Sequence, residues 1–171
     1  MTVATTACET LFRQCVDRYR AQAAEGHLTK WVVGVTAAER RFSINLDSLD
    51  LGPFEKDKLI GCALEAEGAE RYVYATYVRM VDEETRKISE RVMIVCATAT
   101  DYIGGDWGVT RAAKGAITLK PLGEWSGRDP EKTPGTWYLT EAIALTPDER
   151  AHYAAMWAEL RERDAARDAN P

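Results

Sequence analysis

The sequence predicts an α+β domain: a mixed, mostly antiparallel sheet of about five or six strands, with N-terminal, central and C-terminal helices. Three observations carry this. Residues 72–81 and 88–98 are dense in aromatic and β-branched side chains and are separated by a polar run, 82–87, as in a long hairpin. Residues 41–47 alternate strictly, with Phe42, Ile44 and Leu46 on one side and Arg41, Ser43, Asn45 and Asp47 on the other, the mark of a strand with one wet face. Cys8, Leu11, Phe12, Cys15, Val16, Tyr19 and Ala23 recur at the spacing of one helical face.

The first helix is expected to open at Thr6-Ala7-Cys8-Glu9, a capping-box pattern, and to stop at Gly26. Strands follow at 30–36 and 41–47. Pro53 after Gly52 suits a first helical position, and Ile60, Ala63 and Leu64 should point inward on a helix that stops at Gly68. The strand–helix–strand order from 42 to 81 then requires a crossover that leaves its two strands parallel if they share a sheet. After the hairpin, residues 101–108 read as a glycine-rich loop, 115–120 as a short strand, 123–135 as a second loop and 137–145 as a further alternating strand. Thr146-Pro147-Asp148-Glu149 begins the last helix, with Tyr153, Met156, Trp157 and Leu160 as its apolar face. Residues 1–171 read as one domain, with 161–171 a solvated or frayed tail of charged residues and alanines.

Composition narrows the class. Apolar residues make up 46% and charged residues 29% of 171, which fits a globular domain and not a disordered one. The uncharged run 92–100 is far below the roughly 20 residues that span a bilayer, and the first residues carry no basic and apolar leader pattern. The cysteines at 8, 15, 62 and 96 form no close pair and sit in apolar stripes. Four reduced thiols in a cytoplasmic protein is the expectation. A net charge of −5 argues against a nucleic-acid partner.

No chemistry-bearing motif is complete. Glu149-x-x-His152 matches one half-unit of a carboxylate-bridged metal site, but a second copy and two further glutamates are missing. His27 reads as a boundary residue. There is no Gly-x-Ser-x-Gly around Ser126, and Cys96 is mid-strand, where burial makes a thiol inert. Residues 104–114 hold glycines with Thr110, Arg111 and Lys114, but the spacing fits neither a dinucleotide nor a P-loop pattern. Asp47 or Asp50 could open a nuclease core, yet no Glu-x-Lys follows on a strand. No cofactor and no metal is expected.

Lys56-Asp57-Lys58, the run 67–73 from Glu67-Gly68-Ala69 to Tyr72-Val73, the strand 91–97 opened by Arg91, and Arg111 together resemble a loose group of small uncharacterised bacterial and phage-associated proteins. That group shares a helix, a Gly-Ala step, a Tyr-Val strand, a charged turn and a strand introduced by Arg. Where its members carry an acidic residue and Trp, this chain has Val78-Arg79-Met80. The resemblance brings no function with it.

What remains is a pair of aromatic segments. Tyr102, Asp106, Trp107 and Arg111 lie in one, Trp125 and Arg128 in the other. Aromatic and arginine anchors suit a planar or anionic group. If both loops left the same end of the sheet, Trp107, Trp125, Arg111 and Arg128 would share a surface. The leading expectation is therefore a non-enzymatic accessory or binding protein acting through these loops and a self-association surface. The alternative is a small-molecule enzyme with a pocket between 101–111 and 123–135, using Asp101, Asp106, Arg111 or Arg128. A homodimer is expected from an unpaired sheet edge on the long hairpin and from the apolar faces of the terminal helices.

Overall fold

The computed structural model describes residues 3–128, 138 and 145–169. In chain order the elements are α1 (Val3–Ala24), β1 (Trp31–Thr36), β2 (Arg41–Asn45), α2 (Pro53–Ala66), β3 (Ala69–Val81), β4 (Ile88–Thr98), β5 (Asp101–Arg111), β6 (Ile117–Arg128) and α3 (Pro147–Ala169). The six strands form one sheet in the order β2-β1-β3-β4-β5-β6, and every neighbouring pair is antiparallel. This is the α+β class that the periodicities predict.

Helix α1 covers one face. Its Cys8, Leu11, Phe12, Cys15, Val16 and Tyr19 pack on Val33, Val35, Val73, Ala75, Val92, Ile94, Cys96 and Trp107. The helix begins at Val3, ahead of the capping pattern at Thr6, so that pattern does not mark its start. It does end at Gly26, where φ is +88°. There the His27 amide bonds to the Gln22 carbonyl (3.0 Å) and the Gly26 amide to that of Ala23 (2.8 Å), a Schellman closure.

Helices α2 and α3 cover the other face. Leu59, Ile60, Ala63 and Leu64 meet Tyr153 and Trp157 above Val32, Phe42, Ile44 and Tyr72. The α3 start is as the sequence requires: the Glu149 amide donates to Thr146 Oγ1 (3.2 Å), and the Thr146 amide donates to Glu149 Oε2 (2.9 Å). Helix α2 carries the chain from β2 over β1 to β3. Because β1 is antiparallel to both, β2 and β3 run parallel without touching.

The stretch after the hairpin corrects the sequence reading. Residues 101–108 are no loop but most of β5, and 123–128 are the second half of β6, paired from Asp101↔Arg128 to Arg111↔Ile117. Three of the glycines there make room for rings. An added Cβ at Gly104 would lie 2.8 Å from the Trp125 ring, at Gly105 2.6 Å from Trp107, and at Gly127 2.6 Å from Tyr102 Oη. A register shift between Asp106 and Trp107 leaves Leu122 unmatched and sets Pro121 opposite Trp107 on the outer strand, where proline costs no ladder bond. The remainder of the second expected loop, 129–135, lies outside the described residues. So does the strand expected at 137–145, apart from Tyr138, which is in a turn, and Leu145.

Candidate functional site

Pleating decides where each side chain of the aromatic segments goes. Tyr102, Asp106 and Trp125 point to the α2/α3 side of the sheet, and Trp107 and Arg111 to the α1 side. Trp107 is 1% exposed, with its ring 6.2 Å from Phe12; it is core. Arg111 Nε donates to Glu90 Oε2 at 2.8 Å. Arg128 is at the opposite end of the β5–β6 hairpin, 3.9 Å from Asp101 and largely exposed. The shared surface expected of Trp107, Trp125, Arg111 and Arg128 does not form, because alternate strand residues face opposite ways. Among the described residues there is no cleft between 101–111 and 123–128, which are hydrogen-bonded neighbours. Of the six residues, the structure brings together Tyr102, Asp106 and Trp125. Trp125 Nε1 is buried without a partner, and burial raises the Asp106 carboxyl pKa against the pull of Arg91.

A more developed concavity lies on the same face, under the N-terminal half of α2. It encloses about 360 Å³ and is lined by Lys30, Leu46, Leu51, Pro53, Lys56, Asp57, Ile60, Tyr74, Thr76, Val78, Met93 and Tyr138. Its floor follows from the period of a strand: Tyr74, Thr76 and Val78 alternate along β3, and Met93 of β4 is the register partner of Thr76. Its roof follows from the period of a helix, since Pro53, Lys56, Asp57 and Ile60 are spaced i, i+3, i+4, i+7. The Gly52 amide donates to Glu55 Oε2 (2.8 Å), which fixes the start of that roof. Lys30 is held at the rim by backbone bonds, its amide donating to Asp47 Oδ2 (2.7 Å) and its carbonyl accepting from the Leu46 amide (2.8 Å).

Tyr138 closes the back. Its hydroxyl donates to Asp57 Oδ1 at 2.6 Å, and its amide donates to Tyr72 Oη at 3.3 Å. Its ring stands edge-on to Tyr72 at 5.5 Å and tilted to Tyr74 at 6.0 Å. Burial, reinforced by the Asp57 bond, pushes the Tyr138 phenol well up, and burial likewise raises Tyr74. Both hydroxyls therefore stay protonated and can donate. The Asp57 carboxylate is engaged by Tyr138, whereas the ammonium groups of Lys30 and Lys56 have no ion-pair or hydrogen-bond partner among the described residues. Among the described residues, no histidine or cysteine lines the cavity.

Sequence reasoning passed over this site because its residues are scattered between 30 and 138. The helical spacing 53-56-57-60 was the one local signal. Comparison with known protein families, curated proteins and solved structures returns no match. Among the described residues, no helix is long and apolar enough to cross a membrane.

Proposed function

We propose that this protein is a non-enzymatic binding protein whose α2/α3-side cavity takes a small amphipathic anion, an apolar body with one acidic group. The observation that carries the reading is the composition of the cavity. Leu46, Leu51, Ile60, Val78 and Met93 supply apolar wall, Tyr74 and Thr76 supply hydroxyls in the floor, and Lys30 and Lys56, without an ion-pair partner among the described residues, supply positive charge. Ligand sites are mostly apolar, hold a few placed polar groups, and fall in the range of about 300–1,000 Å³. An anion between Lys30 and Lys56 would gain charge-assisted hydrogen bonds that the free protein lacks. Among the described residues the lining offers no nucleophile paired with a base, and its one carboxylate, Asp57, is engaged by Tyr138, which favours binding over catalysis.

The test is fluorescence titration with 8-anilinonaphthalene-1-sulfonate, an anionic aromatic probe, against N-phenyl-1-naphthylamine, its neutral counterpart. The expected result is saturable one-site binding, with the anion weakened about tenfold by Lys30→Ala/Lys56→Ala while the neutral probe is unaffected. Met93→Trp, which fills the floor, should abolish both. Absence of saturable binding, or equal affinity of the double variant for the anion, overturns the proposal.

A second reading concerns self-association. The long hairpin lies inside the sheet, but β1 pairs with β3 only from Ala69 to Ala75, so the edge it leaves is short, residues 76–81 of β3. The apolar faces of α1 and α3 are spent on the sheet. What favours a homodimer is β6, 12 residues long and paired among the described residues only with β5. Such a dimer would form by edge pairing on either side of Pro121. Sedimentation at tens of micromolar should show a dimer that Ser126→Pro weakens; a monomer at that concentration removes this reading.

A further inference from the structure

The interior between α1 and the sheet holds two thiols in direct apposition. Cys8, on the second turn of α1, and Cys96, near the C-terminal end of β4, place their sulfurs 2.8 Å apart. Both are free and buried, at 2% and 0% exposure. The sulfurs need close by only about 0.8 Å to reach the ~2.0 Å of a disulfide bond. The other two cysteines, Cys15 and Cys62, are also buried and free, on different faces of the sheet.

The surroundings single this pair out. Arg71 lies on the same face as Cys96, two residues along β3 from Val73, the register partner of Cys96. Its side chain is 13% exposed and its Nη2 pairs with Glu39, yet its Nε is buried without a partner. Burial raises the Cys96 thiol well above its ordinary value, and the guanidinium only pulls against that rise. Beside it opens a cavity of about 410 Å³ whose lining includes Ala7, Arg71 and Thr98. Ala7 adjoins Cys8, and Thr98 is two residues from Cys96, so a small solute in that cavity stands next to the residues flanking both thiols.

We propose that Cys8 and Cys96 form a redox-active dithiol that closes into a disulfide on exposure to a hydroperoxide and thereby clamps α1 to β4. In the first step the Cys8 sulfur attacks one peroxide oxygen as it gives up its proton. The O–O bond breaks, and the thiol proton leaves with the departing hydroxide as water, which gives a sulfenic acid. In the second step the Cys96 sulfur attacks the Cys8 sulfur, the S–O bond breaks, and hydroxide takes the Cys96 proton as a second water. Two thiols lose two electrons and one peroxide gains them. Burial holds the Cys96 thiol well above its ordinary value despite Arg71, so closure is slow and responds to sustained oxidant, not to a brief pulse. The bond would join positions 88 residues apart, and long closed loops restrict the unfolded chain most.

The test uses the full chain, fully reduced and then treated with one equivalent of hydrogen peroxide. Thiol titration in denaturant should fall from four to two, and non-reducing peptide mapping should join the segments that contain Cys8 and Cys96. Calorimetry should show Tm raised by on the order of 10 °C, and reductant should reverse the shift. Cys8→Ala and Cys96→Ala should each abolish the shift, while Cys15→Ser and Cys62→Ser should leave it. The mapping on the unmodified protein stands even if a variant fails to fold. Four thiols persisting after peroxide, or a bridge to Cys15 or Cys62, would overturn the assignment, and a Cys8–Cys96 bridge without a change in Tm would overturn the clamp.

Discussion

Trp107 separates the two ways of reading residues 101–111. As an anchor on a surface loop, it could be truncated at little structural cost, since exposed substitutions usually fall within about 0.5 kcal/mol. In the structure it is 1% exposed, stands beside Phe12 of α1 at 6.2 Å, and crosses Gly105 in its own strand. Trp107→Ala therefore empties a large volume in the layer between α1 and the sheet. Burial this complete puts the loss in the range of about 3–5 kcal/mol for a core Trp→Ala. For a chain of 171 residues that corresponds to a fall in Tm of roughly 6–20 °C, or a urea midpoint about 2 M lower. Urea titration followed by far-ultraviolet circular dichroism reads this without relying on tryptophan emission. Trp107→Phe should recover part of the loss, because a smaller ring still meets Phe12. A loss below about 1 kcal/mol in the alanine variant would show that the ring is not core, and the placement of β5 under α1 would fall with it.

Gly34→Ala tests the α2/α3 side in the same spirit. A Cβ there would meet the Phe42 ring at 2.2 Å, so the variant should lose about 1–3 kcal/mol by overpacking, where glycine replacement in an open strand would stabilise; urea denaturation gives the sign, and stabilisation would refute the packing of Phe42 on β1. The pH dependence of Glu90→Gln tests the cluster beyond the end of α1. The Glu90 carboxylate accepts from Arg111 and from Tyr77, which lower its pKa from 4.5 to about 2. A carboxyl depressed in the folded state stabilises fully above its unfolded value, and that contribution is lost as pH falls through the folded one. The gap in urea midpoint between the parent protein and Glu90→Gln should therefore hold from pH 7 to about 5 and shrink between 5 and 2; a constant gap would show that the carboxylate has no special partner.

The parts of the fold that the sequence made legible are those where local chemistry and tertiary placement agree. The β-branched and aromatic runs of β3 and β4 pair along their length. Phe42, Ile44 and Leu46 are all buried while Arg41, Ser43, Asn45 and Asp47 are exposed, and Thr146 and Glu149 cap each other. Residues 101–128 were misread because glycine is locally a loop signal. Here Gly104, Gly105 and Gly127 are spaces in strands, each filled by a ring from the same or the neighbouring strand, and that compensation is tertiary. A second signal did oppose the loop reading: Ile103, Gly105, Trp107 and Val109 alternate with period two, and Ile103, Trp107 and Val109 all reach the α1-side core.

Neither candidate device has a sequence motif, and the pleat explains why. Along β3, Arg71 and Val73 face α1 while Tyr72, Tyr74 and Thr76 face α2. The first set approaches the dithiol, and Tyr74 and Thr76 of the second floor the cavity, so two unrelated environments are interleaved residue by residue in one strand. The partners come from far away: Cys8 and Cys96 are 88 positions apart, and Lys30, Lys56 and Met93 are joined to Tyr74 only through register and crossover. Register, unlike spacing, cannot be read from a single strand, because a slip of one residue would exchange the two faces completely. What holds it here is the set of side chains that tolerate only one face. Gly34 must lie under Phe42, Tyr72 must meet Tyr138, and Val73 must pack beneath α1. The same contacts that fix the sheet thus place the lysines of one face and the thiols of the other. A substitution that loosens register at β3 should therefore impair ligand binding and disulfide closure together, whereas Lys56→Ala or Cys8→Ala alone should impair only one.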